Sequence, residues 1–357
     1  TRPEAIKLAP LIRCAMDNFN DSFKVIVITT GQHPKPVEEI LKVFTITPDY
    51  NFKIDRSSSQ SLSLLQSQIQ YRLEALFADL KPDVVIIQGD TISTYSGAMA
   101  AFYQKIQIAH VEAGLRTGDI YSPHPEEGFR KMISQIATWH FTPTKIATDS
   151  LRHENISEDF IIETGNTGID ALDYVMNSSD LISDDNLILD PDETMILVTM
   201  HRRENWKKID HIIDAVDDIV RKKQTVKVVW VTHPNTQLTE KVVERFQNNQ
   251  SVDTKLPLNY QDMVQLMKHA FCILTDSGGI QEEAPSINVP VLVARDTTER
   301  MEGIDAGCSK LVGTNKSKIV DAITELIDNR DEYEKMTHIS NPYGDGLSSQ
   351  RILNRLK

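Results

Sequence analysis

The segment HVEAGLRTGDIYSPHPEEGFRK, residues 110–131, sets Glu112, Asp119, Glu126 and Glu127 among Arg116, Arg130, Lys131 and two histidines. A charge run in a Pro/Gly-punctuated stretch is commonly a solvated loop, and the segment by itself leaves that reading open. The other reading is acid–base chemistry. Asp90, in QGDTIST (88–94), follows an apolar run, and by spacing alone it could be the N-cap of the next helix. Together with Glu112 and Glu126 it would put three carboxylates on loops facing one cleft. Burial and mutual repulsion can split their pKa values, leaving one group as a base and another as an acid. Removing a proton from one face of a carbon and returning it on the other needs such a pair.

A second set of residues suits an anion. In TDSGGIQEEAP (275–285), Gly278 and Gly279 stand between an apolar run and a helical pattern. Their backbones can approach a ligand closely and present N–H groups to a diphosphate, although a tight turn explains the pair equally well. Glu282 and Glu283 could complement the helix dipole, or a carboxylate one turn into such a helix could accept ribose hydroxyls. RDTTER (295–300) and TRPEAIK (1–7) supply Arg295, Arg300, Arg2 and Lys7. Arginine grips a pair of phosphate oxygens, whereas lysine acts as a point charge. His201, in MHRREN (200–205), precedes two arginines at a strand end, where it could bind or protonate an anion. HExxH, Cys/His clusters and Asp-rich loops are absent from the sequence, which argues against a metal site. GxSxG is absent too, which argues against a Ser–His–Asp hydrolase.

Short β-branched runs alternate with helical patterns and would position these groups. Expected strands are 23–31, 82–90, 106–114, 140–144 and 160–166, then 194–204, 226–235, 271–279 and 289–300. Most have continuous apolar centres, as strands buried on both faces of a parallel sheet do. Helices are expected at 62–80 and 208–221, and the alternation predicts doubly wound α/β units. The polar stretch 177–193 divides two such series. GQH, QGD, HVEAG, MHRRE, THPN, TDSGG and ARDTTER each follow the carboxyl end of an apolar run, the edge where open parallel sheets bind ligands. That concentration predicts a ligand cleft between two α/β domains.

Composition narrows the partners. A net charge of -13, from 51 acidic against 38 basic residues in 357, argues against nucleic acid or an anionic membrane surface as partner. A small phosphate ligand needs only a local cationic pocket. The three cysteines, Cys14, Cys272 and Cys308, are far apart, which suggests a reducing, cytoplasmic setting. No apolar run approaches the ~18–20 residues of a membrane span. The chain opens on TRPEAIKLAP without Met, and residues upstream of Thr1 are expected.

Taken in order, TRPEAIKLAPLI, QGDT, HVEAGLRTGD, PEE, HFTPT, GNTGIDAL, HRREN, LTDSGGIQEEAPS, RDTTER and NPYGDG span essentially the whole chain. In these motifs it resembles the non-hydrolysing UDP-N-acetylglucosamine 2-epimerases. The resemblance implies two Rossmann-like doubly wound domains of the glycosyltransferase-B type with an interdomain cleft. The first would cover 1–168, joined by a C-terminal helix at 341–357, and the second, UDP-binding one 169–340. It also implies a homodimer, no cofactor and no metal. The implied reaction interconverts UDP-GlcNAc and UDP-ManNAc through elimination of UDP, a 2-acetamidoglucal and re-addition, supplying surface polysaccharide synthesis.

Carried over by motif, Asp90, Glu112 and Glu126 are the acid, base or organising carboxylates, and His201 stabilises the departing diphosphate. Arg2, Lys7, Arg130, Ser277, Gly278, Gly279 and Arg300 would hold phosphates and nearby groups, with Glu283 on the ribose. Gln32, Arg202 and His233 match positions of an activating second UDP-GlcNAc site, whereas Lys35 and the stretch DRSSSQ (55–60) depart from its pattern. The family would place a short strand and a glycine ahead of Thr1. Phe129 stands where the family usually has Asn, Met200 where it has a small residue, and Leu258 and Met263 where a Gln and an aromatic residue are expected near the uracil. Two other readings remain: a glycosyltransferase of the same architecture, and a UDP-sugar-binding regulatory protein without turnover.

Overall fold

The computed structural model describes residues 1–54, 61–178, 193–233 and 235–357. The expected boundary at 177–193 and the stretch 55–60 therefore fall largely or wholly outside the described residues. The chain divides into two compact units, one of Thr1–Tyr174 with Tyr343–Lys357 and one of Val175–Pro342.

In the N-terminal unit, β1 (Ile28–Thr29) pairs with β2 (Tyr50–Asn51), while β3 (Val84–Gln88), β4 (Gln107–Val111), β5 (Trp139–Thr142) and β6 (Ile161–Glu163) form a parallel sheet in that order. Val, Ile and aromatic residues dominate these strands because they fill a pleated surface covered on both sides. The expected helix at 62–80 is Leu62–Leu80, capped by the Ser61 hydroxyl on Leu64 N–H. Its Leu65, Ile69, Leu73 and Phe77 recur at every fourth residue and are buried, the stripe that an amphipathic helix turns to a core.

The strand expected at 23–31 is paired only over Ile28–Thr29. The Asp49 carboxylate accepts from Val27 N–H at 2.7 Å, so a side chain takes the place of a ladder partner there. Val25, Val27 and Ile28 line an apolar cavity of about 550 Å³, shared with Leu8, Val84 and Ile86. A strand forms only where a neighbour offers its backbone, and this apolar run borders the cavity instead.

The C-terminal unit holds a six-stranded parallel sheet. Its strands are β7 (Thr194–Thr199), β8 (Val226–Val231), β9 (Val252–Lys255), β10 (Cys272–Thr275), β11 (Val291–Val293) and β12 (Ser309–Leu311), ordered β12-β11-β10-β7-β8-β9. The chain runs outward from β7 to β9, then returns to the other side of β7 and runs outward again. The order therefore reverses between β7 and β10, the switch point outside whose carboxyl ends a crevice opens. The helix expected at 208–221 is Ile209–Lys222, which buries Ile212, Val216 and Ile219 against a core containing Trp230. Strands β2, β9 and β12 escaped the sequence reading because they are two to four residues long and their apolar signal is slight.

Cys14, Cys272 and Cys308 are unbridged, and burial pushes the Cys272 thiol up to about 12. Among the described residues no helix is long and apolar enough to cross a membrane.

Gly114, after β4, has φ +89, and a Cβ there would lie 2.2 Å from the Ala147 carbonyl oxygen. Gly118 has a similar φ of +85 with nothing within 4 Å. Gly118→Ala should cost about 1–2 kcal/mol for the left-handed backbone alone. Gly114→Ala should add about 1–3 kcal/mol of overpacking, so it should melt clearly below Gly118→Ala in calorimetry. Equal midpoints would show that the close approach of the backbones does not matter.

Candidate active site

In the N-terminal unit the carboxyl ends of β3 and β4 carry the first cluster. Glu112, one residue past β4, has φ +63, a backbone state that costs a non-glycine residue about 1–3 kcal/mol. Its carboxylate, which pairs with the Lys7 ammonium and accepts from Gln88 Nε2 at 2.9 Å, helps hold it there. Lys7 is 9% exposed and Gln88 4%, so the charges meet almost out of solvent, where an unpaired ion is costly.

Asp90, two residues beyond Gln88, is not the helix N-cap. Thr91 occupies that position, and the Asp90 carboxylate instead accepts from Arg130 Nε at 2.7 Å. Arg130 also donates from Nη1 to Glu127 at 3.1 Å, and Glu127 accepts from Thr117 N–H at 3.2 Å. Burial would lower the Arg130 pKa, but Asp90 and Glu127 outweigh it and hold the guanidinium above its ordinary range. Glu126 and Arg2 are the first residues of their helices, Glu126–Ile136 and Arg2–Asn18, and both are half-buried. Arg116 pairs instead with Glu154 at 2.7 Å, so that part of the charged stretch braces the loop.

Phe129 is buried and stacks on Tyr95 with ring centroids 4.8 Å apart. The residue that departs from the family pattern there has become core. Gln32 accepts from the Ser93 hydroxyl at 2.6 Å.

The C-terminal unit carries the second cluster at its switch point. His201 and Arg202 follow β7, and the TDSGG segment spans the end of β10. Asp276 joins them: its carboxylate accepts from His201 N–H at 2.7 Å, Arg202 N–H at 3.0 Å and Asn205 Nδ2 at 2.8 Å. Asp276 is 0% exposed, so the carboxylate acts as an internal brace that fixes the backbone on which His201 stands. Met200, just before it, is buried in the core of this unit. The His233 ring lies 5.9 Å from that of His201 and 5.5 Å from Trp206.

Ser277, Gly278 and Gly279 open the helix Gly278–Glu283. The Arg300 guanidinium passes so close that a Cβ at Gly278 would stand 2.8 Å from Cζ, which accounts for glycine there. Arg300 Nε donates to Glu282 at 3.0 Å, and Arg300 also pairs with Glu299. Glu299 is also reached by Arg295 at 2.7 Å and by Arg202 at 3.0 Å. Burial would raise the Glu299 carboxyl, but Arg300, Arg295 and Arg202 outweigh it and hold it at about 2. Glu283 is buried and accepts from the Tyr260 hydroxyl at 3.3 Å. Leu258 and Met263 are half-buried, Met263 within the helix Tyr260–His269.

The structure thus brings together Lys7 with Glu112, and Asp90 with Arg130, in one unit. In the other it brings together His201 with Arg202, and Gly278 with Arg300. Sequence reasoning missed Gln88, Glu127, Asn205, Asp276 and Glu299. All five stood inside quoted motifs without being given a role, and a carboxylate at the end of a buried strand was the available signal for Asp276.

The Glu299 carboxyl is depressed from an unfolded value near ~4.3 to about 2. A depressed acid stabilises the fold above its unfolded pKa and loses that contribution as pH falls through the folded value. Glu299→Gln should therefore lower the melting midpoint at pH 7. The gap from the parent should shrink progressively between about pH 5 and pH 2. A gap independent of pH would show that the arginines do not hold this carboxyl.

Residues 16–357 match the family model for UDP-N-acetylglucosamine 2-epimerase. The chain is 45% identical to the UDP-N-acetylglucosamine 2-epimerase of Escherichia coli K12, covering 100% of this chain and 96% of that protein. The crystal structure of the Neisseria meningitidis UDP-GlcNAc 2-epimerase bound to UDP-GlcNAc superposes with a TM-score of 0.92 at 39% identity, covering 100% of this chain and 97% of that one. An S. aureus structure solved with UDP gives 0.90 at 41% identity, with coverage of 100% and 94%. The parallel-sheet α/β fold and the strand-end motifs agree with these matches along the chain, which belongs to the UDP-N-acetylglucosamine 2-epimerase family of isomerases.

Proposed function

We propose that this chain interconverts UDP-GlcNAc and UDP-ManNAc. A carboxylate takes the C2 proton while the C1–O bond breaks, its electron pair leaving with UDP and a C1=C2 double bond forming. The UDP oxygen then returns to C1 as a proton is delivered to C2 on the opposite face. Bonds and charges balance without an external oxidant or reductant.

The observation that carries the reading is the pair of carboxylates at adjacent strand ends. Glu112 is held in a left-handed backbone by Lys7 and Gln88, and Asp90 is held by Arg130. With Glu126 they are the acid, base and organising groups. Positioned acid–base catalysis contributes ~10²–10⁴-fold, so stabilising UDP as it departs must supply much of the rest. That task falls to His201, Ser277, Gly278, Gly279 and Arg300, with Arg2, Lys7 and Arg130 on nearby groups and Glu283 on the ribose. Arg130 and Lys7 are engaged with carboxylates, so they also hold those acids in place.

On the same reading the protein is a cytoplasmic homodimer that feeds surface polysaccharide synthesis. Gln32, Arg202 and His233 would contribute to a second, activating UDP-GlcNAc site.

Incubation with UDP-GlcNAc in D₂O, followed by proton NMR, tests the reaction directly. UDP-ManNAc should appear with deuterium at C2 of both sugars; transfer without exchange at C2 would instead identify a glycosyltransferase. Glu112→Gln and Glu126→Gln should each lower turnover by about 10²–10⁴-fold with the fold intact. Near-normal rates in both variants would remove the carboxylates from the mechanism.

A further inference from the structure

His110 has no part in the mechanism above, yet it stands two residues before Glu112 and its ring reaches the residue before Asp90. It sits in β4, 1% exposed, with Nε2 2.7 Å from the Gly89 carbonyl oxygen. A carbonyl only accepts, so Nε2 carries the proton. The Gly89 N–H donates in turn to the Val111 carbonyl at 3.1 Å. Both peptide groups flanking Gly89 are therefore fastened, one to His110 and the other to Val111, the two residues just before Glu112. The Gly89 carbonyl belongs to the peptide whose N–H is that of Asp90, so its orientation sets the direction in which the Asp90 side chain leaves the backbone.

We infer that His110 is a positioning residue for the epimerisation: its Nε2–H fixes the Gly89–Asp90 peptide and so sets the placement of Asp90 relative to Glu112. Several observations support a positional role rather than a proton-transfer role. His110 is shut away from solvent, and its Nδ1 has no hydrogen-bond partner among the described residues. Burial pushes the imidazole down to about 3, with the neighbouring His140, Arg116 and Arg130 charges opposing protonation as well. The ring therefore stays neutral through the working range and offers a fixed donor. A misplacement near 1 Å costs about 10²-fold in such chemistry, so one donor well behind the reacting groups can govern the rate.

The inference rests on the carboxylate reading of Asp90 and Glu112, and the test separates the two. The amide of Gln places a donor where the imidazole Nε2 stands, whereas Asn is too short to reach. His110→Asn should lower kcat about 10–100-fold with KM changed less than about threefold, and His110→Gln should restore kcat to within about threefold of the parent. Amide hydrogen exchange gives a second readout that needs no turnover. The Gly89 N–H bond to Val111 adjoins the peptide that His110 holds, so exchange at Gly89 should quicken in His110→Asn and stay slow in His110→Gln, with β3 and β4 themselves protected in both.

A parent enzyme without C2 exchange would defeat the carboxylate reading, while the Gly89 exchange pattern would still decide the role of His110. An active parent with unchanged kcat in His110→Asn would overturn the positioning role. So would equal losses in both variants, or failure of both to fold, since each would assign His110 to core packing.

Discussion

Lys7 and Glu112 are both nearly out of solvent, and neither charge is tolerable there without the other. Their pairing ties the first helix to the end of β4. Gln88 extends the tie to the end of β3 by donating to the same carboxylate. The left-handed backbone at Glu112 is held by these contacts, because a backbone strain of this kind persists only where its surroundings over-determine it. The geometry at the end of β4 is thus a consequence of satisfying a buried ion pair. Asp90 follows two residues later on β3's outgoing chain, and its partner Arg130 is shared with fully buried Glu127.

The C-terminal unit solves a similar problem with a different device. Asp276 uses its carboxylate on two backbone N–H groups and the Asn205 amide rather than on a cation. Charge-assisted bonds of this type are about twice as strong as neutral ones. They knit the loop after β7 to the end of β10 across the point where strand order reverses. Adjacent Thr199 and Thr275 share a hydrogen bond at 2.7 Å, so the polar contact begins inside the sheet and continues into the loops.

What was legible in the sequence follows from which signals are local. Continuous apolar runs and a helical stripe are local, and 62–80 and 208–221 were read to within a residue. The strand-end motifs were legible for the same reason, since a parallel sheet sends every strand's carboxyl end to one edge. Partners set by long-range contact were not legible. Asp276 meets His201 from 75 residues away, and Glu299 meets Arg202 from 97. Asp90 looked like an N-cap because its local spacing fits one, and Arg130, 40 residues on, overrides that. The run at 23–31 has strand composition throughout, but Asp49 and the cavity beside it decide how much of it pairs. Phe129 and Met200 departed from the family pattern in sequence, and in the fold each is packed in a hydrophobic core.

The arginines around Glu299 show how acids can organise a cationic cluster. Arg202, Arg295 and Arg300 would repel one another if left alone, and their side chains would spread. Glu299 gathers all three, and Glu282 holds the second edge of Arg300. These carboxylates fix the directions in which the guanidinium groups point. On the proposed reading an incoming diphosphate would meet guanidinium groups whose side-chain freedom has been removed beforehand, the preorganisation that turns electrostatic attraction into rate. Gly278 completes the arrangement, because any larger residue would push Arg300 from the start of the helix.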